Sequence, residues 1–152
     1  MSLENKSYCS LAEADSYWSD RNNTDWAEAT ESARSAALIR ATEWIDTSFS
    51  WPGYVKADDQ VLSWPRIHAY DREGRLRKEI PQELKNAVAW LANESLSGNE
   101  LDPAQERGGQ IRNVKAGSVA VEWNPGAPAG KSYRHVRTML RNIITNSVMR
   151  RG

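Results

Sequence analysis

The side chains that most often carry chemistry are few and scattered in this chain of 152 residues. His68 and His135 are the only histidines, and neither stands at a fixed offset from a carboxylate or a nucleophile. Cys9 is the single cysteine. With no Cys-x-x-Cys partner and no thiol-protease setting it reads as inert, and an internal disulfide is impossible. The paired carboxylates Asp58 and Asp59 lie in a loop segment, where a solvated turn is the ordinary role. There is no HExxH, no P-loop and no GxSxG. Gly108-Gly109 is followed by no Lys-Ser/Thr and opens no helix, so it is not a phosphate cradle. These residues predict a protein that is not an enzyme and uses no metal or cofactor. Binding chemistry is better represented. Tyr54-Val-Lys56, Trp64-Pro-Arg66 and Tyr70-Asp-Arg72 interleave aromatic rings with cations, a combination that can stack the bases and hold the phosphates of a single strand. A formal net charge of zero and an acidic first half weigh against that use.

The densest of these residues form one stretch. Trp51-Pro-Gly-Tyr54 and Gln60-Val-Leu-Ser-Trp-Pro-Arg66 place three large aromatic rings, two prolines and a glycine between two helix-like segments. Prolines fix their own φ and push Trp51 and Trp64 into extended geometry. If the second part is extended, Gln60, Leu62 and Trp64 share a face. The stretch is expected to be a stiff strap laid across a helical core. Trp51, Leu62, Trp64 and Pro65 are its anchors, and Arg66 is available to a carboxylate or an aromatic face. The same rings, left exposed, would instead meet a neighbouring subunit.

The elements around the strap follow from periodicity and caps. Ser10-Leu-Ala-Glu13 is a capping box opening a short helix from Leu11 to about Arg21. Asn22 to Asp25 then reads as a turn, with Trp26 anchoring a linker. Thr30 caps a helix to about Phe49, roughly 30 Å long. Its small residues permit close helix approach, and Arg40 snorkels or pairs locally. Asp71-Arg-Glu-Gly74 is a turn, and Arg72 to Lys78 a solvated run. Pro81 occupies the first position of a third helix that stops before Gly98. Period-two alternation at 111–115 and 118–123 around Ala116-Gly117 predicts a β-hairpin. Asn124 to Gly130 holds four helix breakers, and Ser132 caps a last helix from Tyr133 to about Met149, bearing Arg134, Arg137 and Arg141 with Arg150 and Arg151 at its end.

The fold class expected is therefore mainly α. A small bundle of three core helices in residues 1–130 carries an inserted β-hairpin near 108–123, and a tethered basic helix follows at 131–152. Truncation after Gly130 is expected to leave a folded body. Charge is segregated: four Lys/Arg against nine Asp/Glu in residues 1–50, seven against eight in 51–100, nine against three in 101–152. Such polarity lets copies attract one another head to side. No apolar run approaches the roughly 20 residues of a membrane span, and Met1–Ser10 lacks the apolar core of a signal peptide.

Several segments together resemble one known family. They are Ser-Leu-Ala-Glu-Ala-Asp-Ser-Tyr at 10–17, Asn-Thr-Asp-Trp at 23–26, Ala-Ala-Leu-Ile-Arg-Ala-Thr-Glu-Trp-Ile-Asp at 36–46, Gln-Val-Leu-Ser-Trp-Pro-Arg at 60–66 and Ile-Pro-Gln-Glu-Leu-Lys-Asn-Ala at 80–87. In this order, ahead of a hairpin and a Pro/Gly linker, they resemble tailed-bacteriophage proteins often labelled DnaT-like single-stranded DNA-binding proteins. They are also similar to the head–tail connector adaptor, or head-completion, proteins of long-tailed phages. The resemblance covers roughly residues 8–130. It implies a small helical subunit of a virion ring, a dodecamer beneath the portal, that extends the DNA channel and offers a platform for the neck, tail-completion or tail-terminator protein. Implied partners are further copies of the chain, the portal protein and genomic duplex DNA held without sequence preference, with no membrane. The expected location is the virion neck, after assembly in the host cytoplasm. Arg134, Arg137, Arg141, Arg150 and Arg151 would dock on the portal or an adjacent subunit. The hairpin, through Arg112, Lys115 and Gly117, would reach toward the lumen or the next ring. The alternative carried by the label is a replication accessory that binds single strands.

Overall fold

The computed structural model describes residues 6–98 and 128–145. The described residues are mainly helical, with a small two-stranded antiparallel sheet. The elements are α1 (Leu11–Ser19), α2 (Thr24–Glu28), α3 (Glu31–Ser48), β1 (Tyr54–Val55), β2 (Arg66–Ile67), α4 (Gln82–Leu96) and α5 (Pro128–Leu140).

Local chemistry starts the helices. The Ser10 hydroxyl accepts the Glu13 amide at 3.1 Å, and the Glu13 carboxylate accepts the Ser10 amide at 2.9 Å. Two orphan donors of the first turn are thereby satisfied. The other Glu13 oxygen meets Lys85 Nζ at 2.9 Å, so the same cap ties α1 to α4. Thr30 caps α3 through the Ala33 amide at 3.1 Å. Between these helices the expected turn is partly helical. Asn23 accepts the Trp26 amide at 3.1 Å and opens α2, and Trp26 is buried on it. Pro81 lies one residue outside α4, as its N-cap.

α3 and α4 pack as the central pair. Ala37 and Ala41 on α3 and Ala87, Ala89 and Ala92 on α4 are fully buried. Side chains this small let two helix backbones approach closely. Leu38, Ile45, Leu84, Val88 and Leu91 fill the space around them. α1 closes one side, where Trp18 Nε1 donates to the Ala89 carbonyl at 3.0 Å. Arg40 is exposed on α3 and donates to Ser95 Oγ of α4 at 2.7 and 3.1 Å. It bridges the pair from outside, as a snorkelling arginine does.

The last helix departs most from the sequence reading. It begins at Pro128, inside the stretch assigned to a linker, and ends at Leu140, nine residues before Met149. Proline suits a first helical turn, where its missing amide has no partner to lose. At the other end tertiary hydrogen bonds take over from helical ones. The Asn142 carbonyl accepts the Arg72 amide at 3.0 Å, and the Thr145 amide donates to the Ser50 carbonyl at 3.0 Å. Val136, Leu140, Ile143 and Ile144 are buried in the same core as α3 and α4. The Trp90 and His135 rings meet at a tilt of 38°, with centroids 4.2 Å apart. Removing residues after Gly130 would strip four aliphatic side chains from that core, so a truncated body is not expected to stay intact. The predicted hairpin at 111–123 lies outside the described residues.

Candidate docking surface on the aromatic strap

Residues 49–80 leave α3 and return to α4 as the strap. Its inner face is built from rings. Phe49, Trp51 and Trp64 form a continuous chain, with centroids 6.3 Å apart for the first pair and 5.9 Å for the second. Trp64 is 2% exposed, and Leu62 and Trp51 pack beside it half-buried. The route is not the simple extended one. The Trp64–Pro65 peptide is cis. Gln60 folds back so that its Nε2 donates to the Leu62 and Pro65 carbonyls at 2.8 and 2.9 Å.

Two polar hubs hold this course. Asp46, near the end of α3, accepts the Tyr8 hydroxyl with one oxygen. With the other it accepts the Ser63 amide at 3.2 Å and the Ser63 hydroxyl at 3.1 Å. The Tyr8 oxygen in turn accepts the Trp64 amide at 3.2 Å. Burial, then the bond to Asp46, raises the Tyr8 hydroxyl well above the ordinary tyrosine range. Arg66 is the second hub. Among the described residues it pairs with neither a carboxylate nor an aromatic face, the partners the sequence suggested. Its guanidinium donates to three backbone carbonyls, Pro52 at 2.6 Å, Gly53 at 2.9 Å and Ser63 at 3.0 Å. The planar fork reaches three acceptors at once, which an ammonium group cannot match in the same geometry. Burial lowers its pKa from the ordinary arginine value. Arg66 thus clamps the two legs of the strap where β1 and β2 pair, Tyr54 with Ile67 and Val55 with Arg66.

The next loop is organised by Asp71. Asp71 and Gly74 form the expected turn, closed by the Gly74 amide on the Asp71 carbonyl at 2.9 Å. The segment from Arg72 to Lys78 is exposed as expected, except at half-buried Arg77. The Asp71 carboxylate accepts the Glu73 and Arg75 amides, each at 2.9 Å, and the Arg75 and Arg77 guanidiniums at 2.9 and 2.8 Å. Arg77, half-buried, also pairs with Glu83 of α4 at 2.5 Å. Burial alone would raise the Asp71 carboxyl. The Arg75 amide, the Arg77 guanidinium and the Glu73 amide outweigh it and bring the pKa down to about 2. A depressed carboxylate stabilises the fold above its unfolded value of about 3.9, and loses that contribution as pH falls through the folded value. Urea midpoints for the native protein should therefore fall between about pH 4 and pH 2 more steeply than those of Asp71→Asn. Parallel profiles would exclude Asp71 as the titrating group.

The outer face of the strap mixes charged side chains with exposed apolar ones. Tyr54, Val55, Val61, Ile67, Tyr70 and Leu76 are between 42% and 76% exposed, and they are the large hydrophobic residues left open among the described ones. Tyr54 meets His68 edge-on at 6.4 Å. His68 itself holds φ at +57°, a left-handed backbone uncommon outside glycine. A cavity of about 320 Å³ opens beside them, lined by Lys56, Arg66, Ile67, His68, Leu76 and Lys78. Sequence reasoning placed the anchors Trp51, Leu62, Trp64, Pro65 and Arg66 in one structure, and they are together. It did not separate the buried rings from the exposed ones. Tyr54 and Tyr70 stand out from a run of aromatics only once the path of the chain is fixed.

The remaining candidates sit elsewhere. Arg134 and Arg141 are exposed and Arg137 is half-buried, on or just after α5. Arg112, Lys115, Gly117, Arg150 and Arg151 lie outside the described residues. Cys9 is 1% exposed. Burial, followed by the charge of Glu13, pushes its thiol up to about 12, far from thiolate reactivity. Among the described residues no group of three or more His, Cys, Asp or Glu could hold a metal ion, and no helix is long and apolar enough to cross a membrane.

No curated protein and no solved structure matches this sequence. A family model does match, over residues 2–152, and on that match the chain belongs to the family described as "Putative DnaT-like ssDNA binding protein".

Proposed function

We propose that this protein is a structural subunit of a tailed-phage virion, a head–tail connector adaptor without catalytic activity. Copies assemble as a ring below the portal, a dodecamer by resemblance, extend the DNA channel and carry the neck, tail-completion or tail-terminator protein. The observation that carries this reading is the division of aromatic residues. Trp18, Trp26 and Trp64 are buried, Trp51 and Trp90 are half-buried, and among the described residues the exposed large hydrophobics gather on the strap. Rings committed to the core cannot stack bases, whereas exposed large hydrophobics gathered on one segment suit a protein contact. Arg134, Arg137, Arg141, Arg150 and Arg151 would meet the portal, and Arg112, Lys115 and Gly117 the lumen or the next ring. Contact with channel DNA would involve phosphates only and carry no sequence preference.

A second reading is single-strand binding, as the family description has it. It is favoured by exposed Tyr54 and Tyr70 standing near Lys56 and Lys78 on one strap, a set that could stack two bases. One mixing experiment separates the two. Protein is combined with phage portal rings and, separately, with labelled oligo-dT, and read by light-scattering mass and negative-stain images. A ring stacked on the portal with no salt-sensitive oligonucleotide shift is the expected result. Tight, salt-dependent strand binding with no portal association would reverse the order of the two readings.

A further inference from the structure

The cavity on the strap has a one-sided lining. Its ionisable groups are Lys56, Arg66, His68 and Lys78, and no carboxylate is among them. Ile67 and Leu76 give it an aliphatic floor, 43% and 42% exposed. The Arg66 guanidinium is engaged by three carbonyls, so the exposed, unengaged cations lining the cavity are those of Lys56 and Lys78. A fitting occupant combines carboxylates with a modest apolar surface.

Such a surface exists on the same chain. Asp20, Asp25, Glu28 and Glu31 are all exposed around the corner joining α1, α2 and α3, with Ala27 exposed among them. Its four carboxylates outnumber the neighbouring cations Arg21 and Arg34. Arg21 lies over the Tyr17 ring at 3.8 Å, and Arg34 pairs with Asp15 at 2.6 Å.

The two surfaces stand at opposite ends of α3. Glu31 is its first residue. Asp46, close to its last, holds the strap through Ser63. Eighteen helical residues span about 27 Å, so the corner of one copy is out of reach of its own cavity. We propose that the strap cavity is a socket for the acidic corner of a second copy of this chain, with Lys56 and Lys78 facing Glu28 and Glu31. Two different patches meeting head to tail make a heterologous contact, which repeats until a ring closes. The proposal rests on the ring reading above and names the surfaces that build the ring.

Two charge-reversed proteins test it, Lys56→Glu with Lys78→Glu and Glu28→Lys with Glu31→Lys. All four positions are exposed, and thermal melts check that each variant folds. Self-association is followed by light-scattering mass across protein and salt concentrations. The native protein should assemble. Each variant alone should associate about tenfold or more weakly, because like charges then face each other. An equimolar mixture should recover assembly, since every socket again finds a corner of opposite sign. If both variants assemble as the native protein does, or the mixture fails to recover, the socket assignment falls and the ring reading stands. A native protein that stays monomeric, alone and on portal rings, overturns both. Loss of oligo-dT binding in the socket variant, with self-association unchanged, would make a nucleic acid the occupant and overturn the proposal.

Discussion

Gly53→Ala is expected to destabilise the protein by roughly 3–4 kcal/mol, while Gly74→Ala costs about 1 kcal/mol. Both glycines have left-handed backbones, φ +72° and +84°, so both substitutions incur the conformational penalty of a side chain there. Only at Gly53 is there also no room. A Cβ on Gly53 would stand 2.2 Å from the Ile67 carbonyl oxygen, 2.8 Å from the His68 carbonyl carbon and 2.9 Å from the Ala69 nitrogen. All three are backbone atoms and cannot swing aside. At Gly74 nothing lies within 4 Å. Relief at Gly53 would require the legs of the strap to separate. That would break the pairing of β1 with β2 and pull the Gly53 carbonyl away from Arg66. Thermal melts should show a fall of roughly 10 °C for the first variant and about 3 °C for the second. Equal shifts would mean that the legs part without cost and that Arg66 is not a clamp.

Trp64→Ala should lower stability by roughly 3–5 kcal/mol, the range for emptying a buried aromatic site. Trp64 is 2% exposed and packs edge-on against Trp51, so the vacated volume is bounded by another ring and by the core end of α3. Trp64→Phe should behave differently. The Trp64 indole N–H is buried without a hydrogen-bond partner among the described residues. An unmade hydrogen bond of this kind costs about 1–3 kcal/mol, and phenylalanine removes it. That gain offsets much of the lost ring area, leaving the variant within about 1 kcal/mol of the native protein. Denaturant midpoints for the two variants decide the matter. An unchanged midpoint for Trp64→Ala would move the ring from the core to an interface. A Phe variant as damaged as the Ala variant would show that the indole N–H has a partner.

Residues whose partners lie close in sequence were legible in advance. The Ser10–Glu13 box, the Thr30 cap and the Asp71–Gly74 turn each join atoms within four positions, so adjacent residue types record them. The long amphipathic patterns of α3 and α4 were legible for the same reason. α2 was not. Five residues carry too little periodicity to signal a helix, and what holds them is distant: the Trp26 indole donates to Asp15 on α1 at 2.8 Å. The start of α5 was concealed by Pro128 and Gly130, read as linker residues, and its end by hydrogen bonds from Arg72 and to Ser50.

Composition and periodicity by themselves determined the helical class, the order of the main helices and the presence of an aromatic strap between α3 and α4. These follow from preferences expressed over one or a few turns of chain. Which rings the strap buries, and which it turns outward, was decided by the tertiary structure. Tyr8 reaches Asp46 across 38 positions and Ser63 reaches the same carboxylate across 17. Arg66 gathers carbonyls from both legs. No local preference encodes contacts at that separation. They exist only because burying Trp64 and Trp51 against the end of α3 leaves their polar neighbours a single arrangement in which each amide and carboxylate finds a partner.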